Sequence, residues 1–133
     1  MSEAQFLGRH ESRQAAFQIL FAMQNHPESD LDSLYTMVLD EAKFDDYLPK
    51  LVNGVLGRQT ELDAEISQYL ASGWTIGRIN KIALVILRLA IFELQDGSVP
   101  MKVAIDEALI LAKDFADDTE RKFINGILAK VVA

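Results

Sequence analysis

Residues 76–94 read IGRINKIALVILRLAIFEL, and this stretch is the strongest helical signal in the chain. Its apolar residues recur at spacings of three and four, which is typical of an α-helix. They continue nearly all round the helix, whereas a surface helix keeps one polar face. We therefore expect a central helix that other helices cover on several sides.

Arg88 is the charged exception within this apolar stretch. A buried guanidinium without a partner is strongly unfavourable, because its charge has lost its hydration. We therefore expect Arg88 to pair with a carboxylate, Glu107 on the following helix, or to reach solvent.

Helical spacing continues on both sides of the central stretch, and the breaks fall at glycine, proline and aspartate residues. Strictly alternating stretches are scarce, so strands are not expected. The pattern predicts an all-α fold, a compact bundle of about six to seven helices in a single domain over residues 1–133. The expected helices run from Gly8 to Asn25, from Ser29 or Asp30 to Ala42, from Asp46 to Leu70 with a bend or break at Gly54 and Gly57, from Ile76 to Leu94, from Pro100 to Phe115, and from Asp117 or Asp118 to Val131.

Asn125-Gly126 interrupts the apolar stripe of the last expected helix. Such a pair is typical of a hairpin turn, but the stripe continues on both sides of it. A glycine inside a helix costs roughly 1 kcal/mol relative to alanine. We therefore expect a neighbour to approach Gly126 closely, and a bulky substitution there to destabilise the fold.

The chain has 133 residues, of which 50% are hydrophobic and 25% are charged, with a net charge of −7 and no cysteine. This size and composition support a folded core without disulfides or metal. The start, MSEAQFLGRHESRQAAF, lacks the apolar core of a secretory signal, so we expect a cytoplasmic protein. The most apolar run, residues 82–92, is about half the roughly 20 residues that a membrane helix needs.

Patterns of catalytic or metal-binding residues are missing from the sequence. His10 and His26 do not have the spacing of a helical metal pair, and no glycine-rich phosphate loop occurs. The acidic clusters at Asp45-Asp46 and residues 114–118 lie at expected helix ends, where capping explains them. We expect no metal, no cofactor and no enzymatic activity.

Arg9 and Arg13 are the candidates for a local basic patch on this acidic chain. The net charge argues against a protein that coats nucleic acid through its overall field. The two arginines are four residues apart, hence on one helix face with His10 adjacent, and that geometry suits a phosphate backbone. Spacing alone favours the ordinary alternative, a solvated or ion-paired face.

The C-terminal part of the chain resembles the NusB family in four blocks that stand in the family's order and spacing. They cover roughly the last two fifths of the sequence, while Arg9, Arg13 and Ala15-Ala16 match the family's first helix more loosely. Only two arginines stand in that first stretch, with Glu11 between them. The blocks are ILRLAIFEL at 86–94, VPMKVAIDEA at 99–108, AKDF at 112–115 and KFINGIL at 122–128.

The resemblance implies two small helical subdomains and a role in transcription antitermination within an RNA polymerase complex. It implies that the protein pairs with ribosomal protein NusE and binds boxA RNA, and it leaves a homodimer open. Phe123 would either stack on an unpaired base or belong to the core. The implied RNA-binding residues are Arg9, His10, Arg13, Lys122 and Phe123, and the implied contacts with NusE are Phe21, Ala83 and Leu84.

Two alternatives accompany this interpretation. The RNA-binding module at the front of certain ribosomal RNA cytosine methyltransferases shares the fold, but the sequence ends at Ala133, so we expect a free-standing factor. The acidic charge and the few arginines also suit a helical adaptor that makes no RNA contact.

Overall fold

The computed structural model describes residues 6–133, which form seven α-helices and no β-strand. The predicted all-α bundle is confirmed. Not one of the helices in this range combines the length and the apolar character that crossing a bilayer requires. The helices are α1 (Arg9–Asn25), α2 (Leu31–Leu39), α3 (Tyr47–Gly57), α4 (Gln59–Ser67), α5 (Lys81–Asp96), α6 (Met101–Phe115) and α7 (Asp118–Val131), with a 3-10 turn at Ile76–Arg78 before α5.

Side-chain caps fix where three of the helices begin. Asp30 and Asp117 each accept a hydrogen bond from the backbone N–H three residues ahead, at 3.1 and 2.8 Å. Asn80 accepts from the N–H groups two and three residues ahead, at 2.8 and 3.3 Å. Because Asn80 caps the central helix, that helix begins at Lys81 and not at Ile76, where the apolar spacing placed its start.

Helix α5 is the centre of the bundle. All of its residues from Ala83 to Glu93 are buried. It contacts α1 and α3 from the first half of the chain, then α4, and also α6 and α7 from the second half. The buried apolar side chains of both halves form one continuous cluster. The covered central helix expected from the sequence is therefore confirmed. Helix α5 joins the helices that precede it, α1, α3 and α4, to those that follow it, α6 and α7.

Arg88 is buried and paired, but its partner differs from the predicted one. Its Nε and Nη2 atoms donate to the two carboxylate oxygens of Asp63 on α4, at 2.7 and 2.8 Å. Its Nη1 donates to Gln24 Oε1 on α1 at 2.6 Å. The expected pair with Glu107 was wrong, because α4 and α1 cover this side of α5 and Glu107 faces the start of α1.

Two helical glycines have opposite surroundings. A Cβ atom at Gly54 would lie 2.2 Å from Cζ of Phe92, so α3 needs a glycine where it passes that ring. A Cβ atom at Gly126 would meet nothing within 4 Å, and Gly126 is exposed. The close approach expected at Gly126 was therefore wrong. The expected break in the third segment lies between Gly57 and Gln59.

We expect Gly126→Ala to stabilise the protein by about 1 kcal/mol, because alanine is preferred in a helix interior and has room there. The matched variant Gly54→Ala must displace Phe92, so we expect it to destabilise the protein by about 1–3 kcal/mol. Urea unfolding of both variants measures the two differences in free energy. Changes of the same sign in both would contradict the packing described above.

Candidate nucleic-acid interface

The start of α1 places Arg9 and Arg13 beside the ring of Tyr47, at the start of α3. The guanidinium carbon lies 3.8 Å from the ring centroid for Arg9 and 5.5 Å for Arg13. Both distances are within reach of a cation–π interaction. The arginines share a face, as their spacing predicted, but Arg9 is exposed and Arg13 is buried.

Arg13 is enclosed in a polar cluster that joins four helices. Its side chain is 3% exposed, and its Nε and Nη2 atoms donate to the carboxylate oxygens of Glu93 on α5, at 2.8 and 3.0 Å. Nη2 also donates to the Tyr47 hydroxyl at 3.2 Å, and Nη1 lies 3.5 Å from Glu107 Oε1 on α6. This corrects the expectation of an Arg13 that faces a phosphate, because its donors are already directed at carboxylates and a phenol inside the protein.

The protonation of this cluster follows from its burial. Burial alone would lower the pKa of Arg13, but the hydrogen bond and the charge of Glu93 outweigh it, so the pKa is raised and the guanidinium stays charged. Burial and the hydrogen bond to Glu93 raise the pKa of Tyr47 to about 12. The phenol therefore remains protonated near neutral pH and donates to Glu93.

His10 lies between two carboxylates at the surface of α6. Its Nδ1 is 3.2 Å from Glu107 Oε2, and its Nε2 is 3.6 Å from Asp114 Oδ2. The side chain is 40% exposed. Two neighbouring negative charges make this an unfavourable place for a phosphate. Among residues 6–133, no group of three or more histidine, aspartate or glutamate side chains, this one included, has an arrangement that could hold a metal ion.

Lys122 and Phe123 lie at a groove between α7 and the segment of residues 69–80. The groove has a volume of about 590 Å³. The Lys122 side chain is 77% exposed, whereas Phe123 is half-buried and packs partly against the core. The walls of the groove combine aromatic rings (Tyr69, Trp74, Phe123), cations (Arg78, Lys122, Lys130) and one carboxylate (Glu120) with Ala71, Ile79, Asn80, Thr119, Gly126 and Ile127.

The residues predicted to bind RNA fall in two separate places. Arg13 pairs with Glu93 near the C-terminal end of α5, whereas Asn80 at the groove caps its N-terminal end. Thirteen residues of α-helix separate these positions by about 20 Å along the helix axis. Arg9 lines a smaller cavity of about 300 Å³ that shares no lining residue with the groove.

No motif in the sequence identified the wall opposite α7. Trp74, Arg78 and Lys130 were not among the residues predicted to bind RNA. The signal that was available is local: a tryptophan directly after a glycine, with an arginine four residues later, in a segment between two helices. This segment forms a groove only because α7 lies opposite it, and a local sequence pattern does not predict which helix lies opposite.

The three residues proposed to contact NusE also have different positions. Phe21 is partly exposed and stacks at 5.7 Å on Phe17, which in turn stacks at 4.5 Å on Phe115 of α6. Ala83 and Leu84 are 0% and 3% exposed, inside the core. This corrects their expected role as surface contacts, because their side chains are covered by the chain's own helices.

We expect Arg13→Ala to destabilise the protein by about 3–5 kcal/mol, because it leaves the Glu93 carboxylate buried without its cation. The matched variant Arg9→Ala removes an exposed cation from the same face, and we expect it to change stability by less than about 1 kcal/mol. Chemical denaturation of the two variants makes the comparison. An Arg13→Ala protein as stable as the wild type would refute a structural role for this arginine.

Comparison with known proteins supports this architecture at the levels of sequence and structure. The sequence model of the NusB family matches residues 10–133. The transcription antitermination protein NusB of Levilactobacillus brevis is 53% identical over 129 residues, which cover 92% of this chain and 91% of that protein. The NusB of Limosilactobacillus reuteri is 52% identical over 127 residues, covering 93% and 92% of the two chains.

Solved structures agree with the sequence comparisons. NusB of T. maritima superimposes with a TM-score of 0.85 at 30% identity, covering 96% of this chain and 92% of that one. A crystal structure of the antitermination factors NusB and NusE in complex with dsRNA contains a chain that superimposes with a TM-score of 0.82 at 27% identity, covering 92% and 94%. With its sequence and its bundle both matched over nearly their whole length, this chain belongs to the NusB family.

Proposed function

We propose that this protein is a transcription antitermination factor that binds boxA RNA together with ribosomal protein NusE and thereby supports ribosomal RNA transcription. It acts by binding, without catalysis, in the cytoplasm. Support comes from the close relatives named as antitermination proteins and from the similar chain in a NusB–NusE–dsRNA complex. The observation that carries the proposal is the joint position of Lys122 and Phe123 at one open groove.

The groove offers the two kinds of contact that single-stranded RNA uses. Exposed cations such as Lys122 attract phosphates, and aromatic rings such as Phe123 provide faces on which unpaired bases stack. Arg9, exposed on Tyr47, adds a cation outside the groove. Arg13 and His10 are not part of this proposal, because Arg13 is buried in its pair with Glu93 and His10 lies between two carboxylates. Lys122 also lies near a carboxylate, Asp118 at 3.5 Å, but its side chain is 77% exposed.

The acidic balance of the chain fits a shared role with a basic partner. A net charge of −7 repels RNA at long range, but it attracts a positively charged ribosomal protein. Phe21 is the residue of the proposed contact set that reaches the surface. Docking of a basic protein near it would offset the unfavourable charge, so we expect the two proteins together to bind RNA more tightly than this chain alone.

The competing function is that of a helical adaptor without RNA contact. Internal pairing of Arg13 and the carboxylates beside His10 favour it, since both reduce the positive charge at the start of α1.

A titration separates the two functions. Fluorescently labelled boxA-like and scrambled single strands are added to the protein with and without NusE, at two salt concentrations.

We expect the boxA-like strand to bind more tightly than the scrambled strand, with a further gain when NusE is present and a loss at the higher salt concentration. Fluorescence anisotropy of the labelled RNA measures all three comparisons. Negligible binding of both strands, with and without NusE, would refute the RNA-binding function and favour the adaptor.

We expect Lys122→Gln and Arg9→Gln each to reduce the magnitude of the negative slope of log K against log salt by about 0.7, the contribution of one phosphate contact on a single strand. Lys102→Gln, at the exposed start of α6 and outside both cavities, is the control and should leave the slope unchanged. A residue whose substitution leaves the slope as in the control makes no phosphate contact.

A further inference from the structure

Trp74 is the single tryptophan of the chain, and its position is unusual for so large an apolar side chain. It is 52% exposed, and it is not among the residues that pack against the core. Its neighbours in the same segment, Tyr69, Leu70 and Ile76, do pack against the core. The stability of the bundle therefore gives no reason for a tryptophan at this position.

A short turn holds the indole at the edge of the groove. Gly73 has a φ of +89°, a conformation that glycine adopts without steric cost. The backbone N–H of Trp74 donates to Ala71 O at 3.0 Å. Arg78 donates from Nη1 to Gly73 O at 3.0 Å, and its guanidinium carbon lies 5.5 Å from the indole centroid. The backbone and the arginine thus position the ring without help from the core.

The opposite wall of the groove is α7, which presents Phe123 and the exposed Gly126. Gly126 has no side chain, so nothing projects from that position of the helix into the groove. A volume of about 590 Å³ falls in the range of roughly 300–1,000 Å³ that is usual for sites holding small organic groups. The space between Trp74 and Phe123 can therefore receive planar groups.

Charge favours a polyanion in this space. Arg78, Lys122 and Lys130 surround the rings. Lys130 also donates to Tyr69 O at 3.3 Å, Lys122 Nζ lies 3.5 Å from Asp118 Oδ2, and the carboxylate of Glu120 lies at the same groove. A basic partner protein would meet like charges here. Phosphates would meet opposite charges, and the bases between the phosphates would meet aromatic faces.

We propose that Trp74 is a second base-stacking residue, and that the groove between residues 69–80 and α7 holds unpaired RNA bases with Arg78, Lys122 and Lys130 along the phosphates. The inference rests on the proposed RNA-binding function and names where and how the strand lies. Stacking contributes affinity with little regard to base identity, because every base has a π-face. Trp74 would therefore strengthen binding of boxA-like and other unpaired strands alike.

The single tryptophan allows a direct test, because all tryptophan emission of this chain comes from the residue in question. We expect emission to fall as unstructured RNA is added, in parallel with the rise in anisotropy of the labelled strand. An abasic ribose-phosphate strand of equal length should bind more weakly and leave the emission unchanged, since it supplies phosphates without bases.

We expect Trp74→Ala to weaken RNA binding about tenfold or more, and Trp74→Phe to retain most of the affinity. Because Trp74 lies outside the core, both variants should melt at the temperature of the wild type. Met37→Ala, which removes another exposed apolar side chain, on α2, is the control and should bind RNA normally.

Three results would overturn the inference. In the first, the RNA binds while emission stays constant and Trp74→Ala keeps full affinity, so the strand lies elsewhere and the proposed function stands. In the second, the abasic strand binds and quenches as well as RNA, so the contact is ionic only. In the third, addition of NusE changes the emission of Trp74, after the emission of NusE itself is subtracted, whereas addition of RNA does not. The groove would then bind a protein. Absence of any RNA binding would refute the proposed function itself.

Discussion

Arg13 and Glu93 form an ion pair inside the protein, and this pair constrains how α1 crosses α5. Neither side chain is more than 5% exposed, so solvent cannot replace either partner. Tyr47 and Glu107 extend the cluster to α3 and α6. Desolvation offsets much of the attraction within such a pair, yet a packing that separates the partners leaves a buried charge alone at a cost of several kcal/mol. The cluster therefore favours one mutual arrangement of four helices, which come from both halves of the chain.

The same pair determines which cations remain available for RNA. It withdraws Arg13 from the surface, and Glu107 together with Asp114 places negative charge around His10. Arg9 remains exposed on Tyr47, and several cations lie together beside aromatic rings at the groove, next to Trp74 and Phe123. On a chain with a net charge of −7 such a site works at short range. Screening over about 8 Å at physiological salt weakens repulsion between a bound strand and the carboxylates that lie farther away than this.

The helices could be predicted from the sequence because apolar spacing and caps such as Asp30 are local signals. The predictions that were wrong depended on which helices pack together. Arg88 pairs with Asp63 on α4 and not with Glu107, and Ala83 and Leu84 are covered by neighbouring helices that a single-helix pattern does not identify. The resemblance to the family identified Lys122 and Phe123 as candidate RNA contacts, but it gave no indication of the groove at which they lie or of Trp74 on its other wall.

The central claim is that an acidic helical bundle binds RNA through one local groove of cations and aromatic rings. Photocrosslinking of a 4-thiouridine-substituted boxA-like strand in the complex with NusE, followed by peptide mapping, tests it most directly. The account predicts crosslinks within residues 69–80 and 119–130, with Trp74 and Phe123 among the modified side chains. Crosslinks confined to other surfaces of the bundle, with both of these segments unmodified, would contradict it.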